Sequence, residues 1–313
     1  MDRDKCSHRA GAGVWTQGEF AVIFDRVPKY SGRAWSDDDL DQIRDLIKQN
    51  ADATRARLSR LVCEHFDWRA PNGKLKEMSC RVAMLAMYRD GRIELPPRRR
   101  APPAPYRLVP TPQGDPQAPW QGSVRDLTAL RLVPVEPGRA LRLWNELLAR
   151  YHYLGYRMLP GAQMRYVLRD GERILGAMGF GAAAWKLAPR DQFIGWSGAE
   201  RERGLYRIVG QSRFLILPWI RCRNLASKAL AMATARLGAD WAACYGFAPV
   251  LLETFVDTTR FVGTCYRAAN WIEVGTTQGR GKLDRHRRYA VPVKRIYLKP
   301  LARDFRRCLR QTA

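Results

Sequence analysis

Arg207-Ile208-Val209-Gly210-Gln211-Ser212-Arg213-Phe214-Leu215-Ile216-Leu217-Pro218 reads as a strand closed by a proline, and the segments on either side of it set the architecture. Over residues 224–239, Leu225, Ala229, Met232, Ala233 and Leu237 recur at helical spacing. Residues 249–256 are apolar on both faces apart from Glu253 and Thr254, as in a strand buried inside a sheet. Strand, loop, helix and strand follow one another in that order. Upstream, residues 138–151 form a helix through Leu141, Trp144, Leu147 and Leu148. Runs at 164–168 and 173–180 flank Asp170-Gly171, a hairpin signal. Downstream, residues 264–270 read as a short helix and 271–275 as a last strand. The whole predicts a mixed α/β domain over residues 126–313 with a basic C-terminal segment.

The first third predicts three helices. Ser36-Asp37-Asp38-Asp39 caps a segment with Leu40, Ile43, Leu46 and Ile47 on one face. Asp52-Ala53-Thr54 opens a second, with Leu58, Leu61, Val62 and Phe66 together. After a turn at Pro71-Asn72-Gly73, a third spans 75–90 with Met78, Val82, Leu85 and Ala86 inward, and Ile93-Glu94-Leu95 reads as a short strand. An α+β chain is expected, its N-terminal part resembling a winged helix-turn-helix whose third helix reads DNA. The boundaries are an arm over 1–30, the helical module over 31–98, a linker over 99–125 and the α/β domain beyond. The linker is inferred from nine prolines among the 24 residues 96–119.

Lys and Arg number 54 against 30 acidic residues, a formal net charge of +24. Such an excess repels itself and implies a polyanion opposite, nucleic acid before an anionic membrane; a generally arginine-rich proteome is the alternative. Duplex or single-stranded DNA is the expected partner. Its contacts would come from Lys74, Lys76, Ser79 and Arg81 on the third helix, Arg98, Arg99 and Arg100 after it, and Arg280, Lys282, Arg285, Arg287 and Arg288 near the end. From residue 280 onward 12 Lys and Arg face 2 acids, with Tyr289 and Tyr297 available for stacking. Solvated surface charge is the alternative for either set. Seven scattered cysteines without a CxxC pair predict reduced thiols. No run of about 18 apolar residues spans a membrane. The start of the chain has no apolar stretch of a secretory signal, so a cytoplasmic location is expected.

The α/β element order resembles the GNAT N-acyltransferases. In that family a loop of pattern Q/R-x-x-G-x-G/A cradles the pyrophosphate of acyl-CoA on backbone N–H groups. The matching stretch here is Arg221-Cys222-Arg223-Asn224-Leu225-Ala226, with Ser227 next. Arg221 and Ala226 fit, while Asn224 replaces a glycine, tolerable if its backbone turns left-handed. The resemblance also implies Tyr266, in Cys265-Tyr266-Arg267-Ala268-Ala269-Asn270-Trp271, as a general acid.

Longer strings are more specific. They are Tyr151-His152-Tyr153-Leu154-Gly155-Tyr156, Arg190-Asp191-Gln192-Phe193-Ile194-Gly195-Trp196, Ser212 to Pro218, and Leu251 to Asp257 running on to Trp271. Together they resemble the DruA family of the Druantia anti-phage system, with related domains beside DDE transposases. The resemblance implies a DNA-directed role in phage defence or mobile-element biology, with other defence subunits or a transposase as partners. It supplies no chemistry.

Chemistry has a few places to sit. Glu253, Phe255 and Asp257 share a strand face by alternation, so two carboxylates could work as acid and base or hold Mg²⁺. Alternatively Glu253 is structural, paired with Arg213. His152, between two tyrosines, could be a general base near neutral pH or a packed ring. Asp191 is read as a turn residue in preference to a site acid. No metal or cofactor is established by these residues, and the metal site, if any, is unknown. A DNA-modifying or DNA-nicking enzyme is the alternative to a DNA-binding protein.

Overall fold

The computed structural model describes residues 27–70, 73–97, 108–159, 161–279 and 292–311. Two compact units divide between Pro102 and Pro103. The expected arm up to residue 26, Arg98 to Arg100, and Arg280, Lys282, Arg285, Arg287 and Arg288 lie outside the described residues.

In the first unit a short hairpin, β1 (Lys29–Tyr30) and β2 (Arg33–Ala34), precedes α1 (Asp37–Gln49), α2 (Arg55–His65) and α3 (Glu77–Arg89). The Ser36 hydroxyl accepts from the Asp39 amide while the Asp39 carboxylate accepts from the Ser36 amide, the reciprocal cap its sequence promised. Thr54 caps α2 on the Arg57 amide. Trp35 centres the core, edge-on to Phe66 and Trp68 at 5.3 and 5.4 Å.

Two expectations change here. The buried face of α3 is Cys80, Ala83, Met84 and Met87, whereas Met78 and Val82 stand 65% and 58% exposed. The helix is apolar on both sides, so periodicity does not set its phase. Small Cys80 and Ala83 let α3 approach α2, and that packing decides. Residues 93–95 form no strand, because Ile93 drops into the helical core. Side chains satisfy the local carbonyls instead: Arg44 donates to Arg92 and Arg55 to Pro96. The α2–α3 connection carries a single bridge, Arg69 with Leu75.

The second unit begins with β3 (Trp120–Ser123), inside the expected linker. Then come β4 (Leu130–Pro134), α4 (Arg139–Tyr151), the hairpin β5 (Gln163–Asp170) and β6 (Arg173–Ala182), and two short helices, α5 (Ala188–Ile194) and α6 (Gly198–Gly204). β7 (Ile208–Ile216), β8 (Ile220–Arg223), α7 (Leu225–Tyr245), β9 (Leu251–Asp257), α8 (Thr264–Ala268), β10 (Ile272–Thr276), β11 (Lys294–Pro300) and α9 (Phe305–Arg310) complete it. The seven-stranded sheet runs β10-β11-β9-β7-β6-β5-β4. Within this sheet β7 and β9 are the parallel pair, as the α7 crossover requires. The helix–hairpin–strand–helix–strand–helix–strand order read from the sequence is kept, with α5, α6 and β8 inserted between its elements and β11 and α9 added after them.

The chain from Leu108 on belongs to this unit and is not a free linker. β3 pairs in parallel with β8. Glu146, buried on α4, accepts from the amide and hydroxyl of Thr111 at 2.8 and 2.7 Å and from Arg150 at 2.9 Å. These bonds outweigh its burial and hold its carboxyl below the usual range. A Cβ on Gly114 would collide with the Glu146 carboxylate, so only glycine lets the segment lie this close. Beside it Trp144, Leu147 and Leu148 enter the core, each burial contributing roughly 2 kcal/mol. The basic C-terminal segment is likewise part solvated and part core. β11 sits inside the sheet, with Ile296, Tyr297 and Leu298 buried between flanking cations. Among the described residues no helix is long and apolar enough to cross a membrane.

Candidate functional site

β7 and β9 hydrogen-bond only from Ile208–Leu251 to Gln211–Thr254; beyond that point they part. The register of β7 against β6 also slips there, with Arg213 opposite Gly179 and Gln211 opposite Phe180, so Ser212 is the extra residue of a bulge. β9 therefore has two different ends.

At the paired end, Glu253 is wholly buried. Its carboxylate accepts from the Ala184 amide at 2.6 Å and from Arg190 at 2.8 Å. Arg190, also fully buried, donates to the Ala184 carbonyl and twice to Asp191, which in turn accepts from the Trp196 indole at 3.1 Å. Burial pushes the Glu253 carboxyl up, and Arg190 and the Ala184 amide pull it back. The mate of Glu253 is thus Arg190 and not Arg213. Asp191 anchors that network.

At the open end the charges are not matched. Arg213 donates to the carbonyls of Gly155 and Ser212, and among the described residues it meets no carboxylate. Burial and the nearby Arg157 push its pKa down. Asp257 accepts from the Thr259 hydroxyl and amide at 2.7 and 3.0 Å, which hold its carboxyl low. The His152 ring stacks on Tyr153 at 4.9 Å, and its Nδ1 accepts from the Leu154 amide at 3.1 Å. Burial, helped by Arg213, lowers its pKa to about 4. A neutral ring accepting at Nδ1 carries its proton on Nε2, so of the two readings of His152 the geometry favours the packed ring over the general base. Tyr266 is buried against Phe214, Trp271 and Tyr297, and its hydroxyl donates to Gln211 Oε1 at 3.0 Å. Its pKa is driven up by that burial. It packs the gap between the parting strands and does not face solvent as an acid would.

The two carboxylates of β9 do not work together. Four residues of strand separate them by about 13 Å, and both Glu253 oxygens are occupied. Among the described residues no group of three or more His, Cys, Asp or Glu could hold a metal. The donor set does not fit Mg²⁺.

The loop before α7 fits its sequence reading better. Asn224 adopts φ 65° and ψ 4°, the left-handed turn a glycine would otherwise supply. Arg221, Arg223 and Asn224 are exposed, and Ala226 and Ser227 lie in the first turn of α7. On the first unit, Lys74 and Arg89 are exposed, while Lys76, Ser79 and Arg81 are half-buried along the Met78–Val82 ridge. Arg55, Arg81, Met84, Leu85 and Leu95 line a cavity of about 150 Å³ there. Sequence reading missed Arg190, Tyr153, Arg260 and Phe261, because each gains its meaning from a neighbour distant along the chain.

The seven-stranded sheet with its α7 crossover defines a mixed α/β domain, and a helical unit precedes it in the chain. The chain belongs to the family described as Druantia protein DruA, which matches residues 108–291. Among solved structures it is similar to the ribosomal-protein-S18-alanine N-acetyltransferase of Escherichia coli. That match has 8% identity, covers 55% of this chain and 94% of that one, and has a TM-score of 0.36. An aminoglycoside acetyltransferase in complex with coenzyme A shares 13% identity over 55% and 94%, with a TM-score of 0.34. An acetyltransferase of Salmonella typhimurium that modifies the N-terminal serine of ribosomal protein L7/L12 shares 9% identity over 55% and 95%, with a TM-score of 0.36. No curated protein matches.

Proposed function

We propose that the protein is the DNA-binding member of an anti-phage defence system, acting in the cytoplasm with other defence subunits or a transposase. The observation that carries this reading is the +24 charge together with an exposed ridge on α3. Arg81 and Arg89 accompany Met78 and Val82 there, cations for phosphates and apolar groups for base methyls, as on a helix-turn-helix reader. Binding to labelled duplex should weaken steeply with salt, since each neutralised phosphate releases counterions. Arg89→Gln should lower the slope of log affinity against log salt by about one. An affinity indifferent to salt between low and moderate ionic strength sinks the proposal.

A second reading, acyl transfer to DNA, is favoured by the left-handed Asn224. Arg221, Arg223 and the amides of Ala226 and Ser227 would hold the pyrophosphate of acyl-CoA, which would supply the activated acyl group. Protection of residues 221–227 from hydrogen exchange by CoA would support it.

A further inference from the structure

The open end of β9 holds a set of groups that folding alone does not explain. Arg213 is half-buried with only carbonyls for company, and an uncompensated cation is costly to withdraw from water. Next to it the aromatic rings of Tyr153 and Phe261 meet edge-on at 5.5 Å, although Phe261 is 49% exposed. Arg260 lies over Tyr153 at 5.2 Å. Deeper in, Gln211 uses its Oε1 for Tyr266, while its Nε2 is buried without a partner. The protonated Nε2 of His152 adds one more donor. Tyr153 is the shared neighbour of these groups: His152 stacks on it, Phe261 meets its edge, Arg260 lies over it, and Arg213 reaches the carbonyl of Gly155 two residues on.

Donors and cations therefore exceed acceptors beside an exposed aromatic platform. That pairing suits a flat ring carrying a phosphate. We infer that Arg213, Arg260, Tyr153 and Phe261 form a site for a single nucleotide, its base on the exposed Phe261 ring that Tyr153 braces edge-on and its phosphate on the arginines. A free nucleotide and one unit of a DNA strand share this chemistry; the strand as source rests on the DNA-binding reading. The site lies on the second unit, whereas the proposed duplex contact, the α3 ridge, lies on the first.

The test uses the full-length protein. Calorimetry would follow binding of dTMP and dAMP, and anisotropy would follow a labelled single-stranded octamer and a labelled duplex, with CoA as competitor. Arg213→Gln and Tyr153→Ala should weaken mononucleotide and single-strand binding roughly tenfold, with duplex affinity within about twofold of the parent. Phe261→Ala, on an exposed loop position, provides the same readout should either variant unfold. Mononucleotide binding by the parent that is lost in the variants supports the inference even if duplex binding fails, and it then assigns the site to free nucleotide. Binding of the octamer alone, lost in the variants, supports it with the strand as source. Unchanged affinities in folded variants overturn it, as does occupancy by CoA alone.

Discussion

The two ends of β9 carry similar side chains to opposite purposes. At Glu253 a buried arginine, two carboxylates, an indole and a backbone amide satisfy one another within about 3 Å. At Asp257 the arginines outnumber the acid beside them, and that acid is spent on its own turn at Thr259. Where every charge is answered from within, the residues hold the fold. Where cations remain unanswered beside exposed rings, the answer is to come from outside.

The largest effect that could break this contrast is at Arg190. Arg190→Met strands Glu253 without its cation, leaves Asp191 only Arg201 at 3.8 Å, and should cost about 3–5 kcal/mol, read from the denaturant midpoint. Adding Glu253→Leu should recover much of that loss; if the single variant is as stable as the parent, the closed network is not structural. The next effect belongs to His152. Its folded pKa near 4 lies below the ordinary 6.5, so the unfolded chain binds a proton first as pH falls. Stability from this ring is complete above about pH 6.5 and declines toward pH 4, by about 3 kcal/mol at most and less where solvent screens the ring. His152→Gln should flatten that part of the stability–pH curve; an unaltered curve would show the ring to be solvated. The smallest effect is the sharpest. Arg213→Gln removes an unmatched cation and should shift stability by less than about 1 kcal/mol. A loss as large as that of Arg190→Met would make both ends alike and erase the distinction.

Much of the α/β domain was legible because its strands are long and its hairpin turn, Asp170-Gly171, is unambiguous. β11 was not: Lys294, Arg295 and Lys299 disguised Ile296, Tyr297 and Leu298 as a solvated tail. The phase of α3 was hidden by apolar residues on both faces. At the candidate site Glu253, Asp257, His152 and Tyr266 were visible as residues, but their tasks were not. Whether a carboxylate is free depends on Arg190, which lies 63 positions away. Asn224 is the reverse case: standing where the resembled loop has a glycine, it was allowed a left-handed turn, and it makes one.

The knot of Thr111, Gly114 and Glu146 bears on where this domain can be cut. A fragment begun at residue 126, where composition suggests a boundary, would leave Glu146 in the interior with Arg150 as its only remaining partner among those bonds. It would also strip the partner strand from β8, just ahead of the loop that starts α7. A self-sufficient piece has to start before Thr111, so the stretch from Thr111 to Ser123 is foundation for the domain behind it.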